Sequence, residues 1–472
     1  MPKKKKLSIV LSAVFAGLVL IGVALALTTN FWYMTFLEPR FPEFTEYPNF
    51  QRVLSTEEMQ EDLRQLKADL AAVHPSTAAG LPAELEAAFA DANTQVSDQL
   101  TVGEFSIIVS SLACMLEDAH TAVSLSLSDR PLPAEVKIIQ DRFYVLGGVN
   151  LVPGDEILSL GGVSTEEIQA FAEKVIPAEN PYWRQHRIAS LLNQSALTQM
   201  GAEIDDRRNI DVKVRRGQEI ITAQLNFGYT YSPQPSSEVE YYPPNVHEYG
   251  YHLDLENKTC VFKLSLCVYD QGYTQFVRTM FQDIKDNGIE NIIVDLRGNP
   301  GGNSAVVDEF LKYLDIEEYK SFGGTRRLSA AAAEQRGYLF KRGSFTNKPG
   351  VRKNRKVEEL LFHGEVYALI DNGTFSSGNW FAVVLADNDI GTIIGEPTGN
   401  APNSFGDILS FQLENSKLIY SISYTQWVRP DAALADADAL YPDYPVTYTI
   451  EDYINKRDLA MEEALRLIQE GK

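Results

Sequence analysis

The stretch NIIVDLRGNPGGN (Asn291–Asn303) joins an apolar strand pattern to a glycine-rich turn, and a helix pattern follows at 304–314. Glycines let the backbone turn sharply and leave amide N–H groups uncovered. N–H groups at a strand-to-helix turn attract negative charge. The turn can therefore hold a phosphate or the oxyanion of an acyl-transfer intermediate, or it can be purely structural. It lacks the Gly-Lys-Ser/Thr ending of a phosphate-binding P-loop.

A second strand–turn–helix pattern lies further along the chain. EVYALI (Glu365–Ile370) has the pattern of a buried strand, DNGTFSSGNW (Asp371–Trp380) that of a turn, and residues 381–389 that of a helix. A serine on such a turn has its hydroxyl at the helix N-terminus, where the next amide can share an oxyanion with the first turn. Taken alone, the serine pair is more typical of a helix N-cap.

The bulk properties indicate a folded protein of several domains. The chain has 472 residues, of which 44% are hydrophobic, and this length predicts two or three domains. The net charge of −22 argues against nucleic acid as a partner. From residue 249 onward, apolar runs alternate with helix patterns, which predicts an α/β layer with a partly parallel, buried sheet.

The N-terminus has the pattern of a membrane anchor. Four lysines precede Leu7–Leu27, 21 residues without a charge, which is long enough to cross a bilayer. The competing interpretation is a cleaved signal peptide, because residues 24–26 (Ala-Leu-Ala) resemble a cleavage site. Both interpretations export the rest of the chain. We expect a single-pass protein of the cell membrane, in a bacterial envelope, whose later domains are extracytoplasmic.

Two regions separate this anchor from the α/β layer. Residues 55–121 are mostly helical in pattern and begin with a capping signal at Ser55. The stretch VPGDEILSLGGVSTEEIQAFAEKV (Val152–Val175) resembles part of a PDZ domain. A plain α+β insert is the alternative.

The two turns together resemble the tail-specific, or carboxyl-terminal processing, serine protease superfamily. IIGEPTG (Ile393–Gly399) and YPDYPV (Tyr441–Val446) are similar to later motifs of that family. The resemblance implies an α/β protease core of the ClpP/crotonase-like type, with an N-terminal helical segment and a PDZ-like α+β segment. The expected domains are an anchor at 1–37, a linker at 38–54, a helical region at 55–130, a PDZ-like domain at 131–228 and a catalytic domain at 249–468.

The family motif implies roles for individual residues. Ser376, the first serine of the pair, matches the nucleophile. The amide of Ser377 and that of Gly301, or else Gly302, would form the oxyanion hole. The resemblance implies no metal and no organic cofactor.

The activating base departs from the Ser/Lys branch of the family. The stretch that would carry the lysine is TGNA here, and no lysine occurs between Ser376 and Lys417. The motif LEDAHTAV instead resembles the tricorn-core-like branch, in which a histidine is the base. This resemblance implies that His120 is the general base. The alternatives for His120 are a helix cap or a buried core histidine.

A third polar group should orient the site, and the stretch DADALYPD offers Asp436, Asp438 and Asp443. Asp438 lies nearest the place where the tricorn-like branch has a carboxylate. A solvated acidic loop is the alternative for this stretch. The resulting hypothesis is a membrane-anchored serine endopeptidase acting on polypeptides. An inactive binding module on the same fold and a hydrolase of small esters or amides are the competing functions. The resemblance also leaves a homo-oligomer open.

Overall fold

The computed structural model describes residues 14–22, 37–96, 99–124, 130–232 and 239–471. Apart from 14–22, which are helical, and residue 37, the predicted anchor at 1–37 lies outside the described residues. Within the described ranges, no helix combines the length and the apolar character needed to cross a membrane.

The described chain contains helices and strands in alternation. The helices are α1 (14–22), α2 (Thr56–Val73), α3 (Ala83–Gln95), α4 (Val102–Cys114), α5 (Thr165–Val175), α6 (Pro181–Ile188), α7 (Gln194–Gln199), α8 (Gln271–Asp286), α9 (Ala305–Leu311), α10 (Ala330–Arg336), α11 (Ser377–Asp387), α12 (Ile450–Ile454) and α13 (Leu459–Glu470). The strands are β1 (Val53–Leu54), β2 (Leu100–Thr101), β3 (Ala134–Ile139), β4 (Arg142–Gly148), β5 (Glu156–Leu160), β6 (Val163–Ser164), β7 (Asn209–Arg216), β8 (Glu219–Asn226), β9 (Tyr249–Asp254), β10 (Thr259–Leu264), β11 (Asn291–Asp295), β12 (Glu318–Ser321), β13 (Gly323–Leu328), β14 (Gly343–Asn347), β15 (Gly350–Lys353), β16 (Glu365–Ile370), β17 (Thr392–Gly395), β18 (Ser404–Gln412), β19 (Ile419–Val428) and β20 (Tyr444–Pro445).

The central layer is a sheet in the order β20-β17-β16-β11-β10-β9. All its neighbours are parallel except the pair of β10 with β9 at one edge. Successive side chains of a strand point to opposite faces, and here both faces are covered. Helices α8, α9 and α11 pack on one face and α13 packs on the other. The predicted α/β layer with a mostly parallel, buried sheet is thereby confirmed.

The register of two strands brings the two turns together. β11 and β16 are adjacent and parallel, with Asp295 opposite Leu369. Parallel neighbours present their carboxyl ends at the same edge of the sheet. The glycine turn after β11 and the serine turn after β16 therefore meet there. The N–H of Phe375 donates to the carbonyl of Asn299 across this meeting point, at 2.9 Å.

A second layer consists of the sheet β14-β13-β19-β18 and the N-terminal helices. Helices α2, α3 and α4 share one hydrophobic core with strands β18 and β19. The loop after α4 is fixed to β19, because the N–H of Ala122 donates to the carbonyl of Ser421 and the N–H of Ser421 donates back. The predicted helical region at 55–130 thus packs on strands that come 300 residues later in the chain.

The third unit is the sheet β3-β4-β5-β7-β8, with β6 beside β5. Helices α5, α6 and α7 pack with it in a core of its own, which also takes in Phe375 from the serine turn. This unit occupies the range predicted to be PDZ-like, 131–228. Its contact with Phe375 places the segment around α6 against the serine turn.

Candidate active site

Ser376 has a strained backbone and does not cap its helix. Its dihedral angles are φ 51° and ψ −121°, a region that glycine tolerates and other residues rarely adopt. It precedes α11, yet its hydroxyl makes no capping hydrogen bond. Its own N–H donates to Oδ1 of Asn400 at 3.0 Å. The N-cap alternative therefore does not describe this serine, whose hydroxyl is left to face the cavity.

The glycine turn approaches Ser376 closely. Gly301 has φ +103°, and a Cβ at this position would lie 2.5 Å from Cβ of Ser376. The N–H of Gly301 donates to Oδ1 of Asn299 at 2.8 Å and is therefore occupied. The N–H groups of Gly302 and Ser377 have no acceptor among the described residues. The geometry thus favours Gly302 over Gly301 as the partner of Ser377 in an oxyanion hole.

His120 reaches the serine from the loop after α4. Its Nε2 lies 3.1 Å from Oγ of Ser376, within hydrogen-bond distance. The ring packs against Phe375, with the centroids 4.6 Å apart. The hydroxyl of Ser421 on β19 donates to the carbonyl of His120 at 2.6 Å. The structure therefore brings together the two residues that the sequence predicted as nucleophile and base.

Asp118 is the buried carboxylate next to His120. It accepts hydrogen bonds from the backbone N–H of His120 at 2.9 Å and from the hydroxyl of Thr121 at 2.5 Å. Nε2 of His74 lies 3.2 Å from Oδ2 of Asp118. Burial by itself would raise the pKa of Asp118, but the hydrogen bond from His74 and the proximity of His120 outweigh burial and lower that pKa to about 2. Asp118 is therefore an anion at neutral pH.

The neighbours of His74 identify its tautomer. The N–H of Ser76 donates to Nδ1 of His74 at 3.3 Å, so Nδ1 is an acceptor. A proton on Nε2 then points at Oδ2 of Asp118. His74 is fully buried, and its role is to hold the Asp118 carboxylate in place.

The electrostatics keep His120 neutral. Burial disfavours the charged ring and lowers the pKa of His120, while the negative charges of Asp118 and Asp407 only partly oppose this shift. The Nδ1 atom of His120 is buried and has no hydrogen-bond partner among the described residues. Oδ1 of Asp118 is 3.8 Å from it, too far for a direct hydrogen bond.

Glu179, before α6, is a second carboxyl group at this site. Burial and the nearby charge of Asp118 raise the pKa of Glu179 to about 8. Asp118, His120 and Glu179 each have one atom within 4.8 Å of the other two, a spacing that a metal ion could bridge. The Nε2 contact of His120 with Ser376 fits proton transfer better, and we assign no metal to the group.

Asp438, the carboxylate predicted to complete the site, lies elsewhere. Its side chain is exposed and accepts a hydrogen bond from the hydroxyl of Tyr441 at 2.8 Å. None of its described contacts is with His120 or Ser376. The prediction for Asp438 rested on its position before a Pro-Asp motif, and the carboxyl groups beside His120 come from other segments. A sequence signal existed only for Asp118, which is part of the LEDAHTAV motif.

The serine and the histidine open into a cavity of about 540 Å³. Gly302 and Ser377, whose N–H groups would form the oxyanion hole, also line this cavity. Aromatic side chains form much of the remaining wall, namely Phe322, Trp380, Phe405 and Trp427. A volume of this size is typical of a ligand site.

Comparisons with known proteins concern the family and the fold of this chain. Residues 263–446 match the sequence profile of peptidase family S41, which spans both turns and β20. No match was found among curated proteins. The crystal structure of mature CPAF is similar, with a TM-score of 0.65 and 15% identity over 88% of this chain and 96% of that chain. The structure of mature CPAF complexed with lactacystin is also similar, with a TM-score of 0.62 and 16% identity over 88% of this chain and 97% of that chain.

The tricorn protease is a more distant match, with a TM-score of 0.42 and 13% identity over 88% of this chain and 37% of that chain. At this distance the match carries no argument for the Ser/His branch, and the identities to CPAF support the fold alone. The family profile carries the class of activity. The match of residues 263–446 to peptidase family S41 identifies a serine-type peptidase.

Proposed function

We propose that this peptidase cleaves polypeptide chains internally through an acyl-enzyme on Ser376, with His120 as the general base. The observation that carries the proposal is the 3.1 Å contact between Nε2 of His120 and Oγ of Ser376. His120 is held neutral by burial, so its Nε2 can accept the hydroxyl proton.

In acylation, Oγ of Ser376 attacks the substrate carbonyl carbon while its proton passes to Nε2 of His120. The carbonyl oxygen becomes an oxyanion, which the N–H groups of Ser377 and Gly302 would bind. The imidazolium then donates its proton to the leaving amine. In deacylation, His120 takes a proton from water while the water oxygen attacks the acyl carbon. The ester bond to Oγ then breaks, and His120 returns the proton to Oγ of Ser376.

We also propose that residues 7–27 anchor the protein in the cell membrane, with the peptidase domain outside the cytoplasm. The support is the uncharged run of 21 residues behind four lysines. Membrane fractionation and protease accessibility of intact cells test this proposal. Recovery of the protein in the cytosolic fraction would contradict it.

The mechanism is tested by labelling the purified full-length protein with a fluorophosphonate, beside Ser376→Ala and His120→Ala. We expect wild-type labelling that is lost in both variants. Matched controls are Ser344→Ala and His363→Ala, which change exposed residues outside both turns. Folded wild-type protein that stays unlabelled would contradict the acyl-enzyme.

The substrate class is tested with an unfolded polypeptide against simple esters. An endopeptidase yields internal fragments of the polypeptide at enzyme concentrations that leave esters little changed. Turnover of esters without any cleavage of the polypeptide would contradict the proposal and favour a small-molecule acyl hydrolase.

A further inference from the structure

Two buried polar atoms at the site lack partners, and they belong to neighbouring side chains. Nδ1 of His120 and Oε2 of Glu179 both have no hydrogen-bond partner among the described residues. An atom of each residue lies within 4.8 Å of the other. Native structures rarely leave buried polar atoms unpaired, so each of these two atoms requires a partner.

Asp118 is poorly placed to accept a hydrogen bond from Nδ1 of His120. Its Oδ1 is 3.8 Å away and already accepts the backbone N–H of His120. Its Oδ2 is occupied by His74 and Thr121. These contacts fix the carboxylate, and a closer approach to Nδ1 would break them.

Glu179 is also tied to both reacting residues through its other oxygen. Oε1 accepts the N–H of Ala119, the residue before His120, at 3.3 Å. Oε1 also accepts a hydrogen bond from Nδ2 of Asn400 at 3.3 Å. Oδ1 of Asn400 in turn accepts a hydrogen bond from the N–H of Ser376. One carboxyl group thus touches the histidine loop and, through Asn400, the serine turn.

The segment that carries Glu179 is itself held against the site. Nδ2 of Asn180 donates to the carbonyls of Thr398, at 3.2 Å, and Asp438, at 2.8 Å. Trp183 stacks on Phe375 with the centroids 4.0 Å apart. These contacts hold the backbone of this segment, so that Glu179 can move only through its side chain.

We propose that Glu179 is the positioning residue of this site, whose Oε2 accepts the Nδ1–H of His120 while Nε2 takes the proton of Ser376. The inference rests on the acyl-enzyme mechanism proposed above. The proton on Nδ1 stays on the ring, so one proton moves, from Oγ to Nε2, and Glu179 keeps its own protonation state. The hydrogen bond selects the tautomer whose Nε2 lone pair faces Ser376.

Both protonation states of Glu179 fit this role. Its pKa is raised to about 8 by burial and by Asp118, so a proton is present on the carboxyl group at neutral pH. A protonated carboxyl can donate to Asp118 while its oxygen accepts Nδ1–H. In both states the third group comes from the segment between α5 and α6, so the S41 domain at 263–446 does not contain the whole site.

The test compares Glu179→Ala, which removes the acceptor, and Glu179→Asp with the matched control Glu173→Ala, a change of an exposed glutamate on α5. We expect kcat on a polypeptide substrate to fall roughly 10²-fold in both Glu179 variants, with KM and the unfolding midpoint close to wild type. A purely structural role would lower the unfolding midpoint and leave kcat per folded molecule unchanged. A kcat within twofold of wild type for a folded Glu179 variant would overturn the inference.

A second readout follows the proton itself. In the fluorophosphonate adduct, the Nδ1–H of a protonated His120 should give a low-field proton NMR signal in wild type. We expect Glu179→Ala to move or abolish this signal and Asp118→Asn to retain it. The reverse pattern would assign the role to Asp118 and overturn the inference, while the acyl-enzyme would stand. Absence of labelling in wild type would overturn the proposed function and this inference with it.

Discussion

Nε2 of His120 lies 3.1 Å from Oγ of Ser376, although 256 residues separate them in the chain. Ser376 follows a strand of the central sheet, whereas His120 follows a helix of the N-terminal layer and is fixed to β19 by Ser421. The pair therefore exists only when the N-terminal helices are packed on the sheet β14-β13-β19-β18.

The strained backbone of Ser376 predicts that a glycine variant is more stable than an alanine variant, although both are inactive. With φ 51° and ψ −121°, Ser376→Gly relieves strain that Ser376→Ala retains. We expect Ser376→Gly to be the more stable of the two by about 1 kcal/mol, measured by urea unfolding. Both variants lose fluorophosphonate labelling. Equal stabilities would mean that the turn relaxes and stores no strain.

The close approach of Gly301 to the serine predicts a large effect of one methyl group. A Cβ there would lie 2.5 Å from Cβ of Ser376, so Gly301→Ala must displace the nucleophile. We expect the labelling rate to fall by at least ~10²-fold, the effect of misplacing a reacting group by about 1 Å. The control is Gly298→Ala, which has φ +70° and open space around its Cβ. A similar loss in the control would assign the effect to backbone strain and not to the collision.

The lowered pKa of His120 predicts activity that persists into mildly acidic solution. The base is inactive once protonated, and burial shifts its protonation below the ordinary value of 6.5. We expect the acid limb of the labelling rate to lie below pH 6.5. The charge of Asp407 raises this pKa, so Asp407→Asn should move the limb to still lower pH, whereas Asp91→Asn, an exposed change on α3, should not. A limb at or above 6.5 would contradict the assignment of His120 as a buried base.

The anion of Asp118 predicts a pH-dependent contribution to folding. The pKa of Asp118 is lowered from 3.8 to about 2, so its stabilisation is present above pH 3.8 and is lost as the pH falls through about 2. We expect Asp118→Asn to lose about 2 kcal/mol of unfolding free energy at pH 7, with a smaller difference from wild type at pH 3. Urea unfolding at both values measures this, with Asp91→Asn as the control. A difference that does not depend on pH would show that the hydrogen bonds, and not the charge, are lost.

The strand–turn–helix units were predictable because each is local in the chain. The apolar runs, the glycines and the serine pair stand next to one another, so the sequence identified both turns and the strands before them. The parallel register of β11 and β16 then explains why the turns meet. The sequence motif favours Gly301 for the oxyanion hole, because a motif does not show that the N–H of Gly301 donates to the side chain of Asn299.

The remaining polar groups depended on distant segments. The position of Asp438 before a Pro-Asp motif predicts a place in the site, yet its side chain is exposed in the fold. Glu179 has no motif that distinguishes it from other glutamates. Its raised pKa arises from burial and from Asp118, which is near only in space. The sequence by itself determined the two turns, the serine and the class of fold, because local patterns encode them. Only the tertiary structure decided which carboxyl groups surround His120, because burial and charge pairing form when the layers pack.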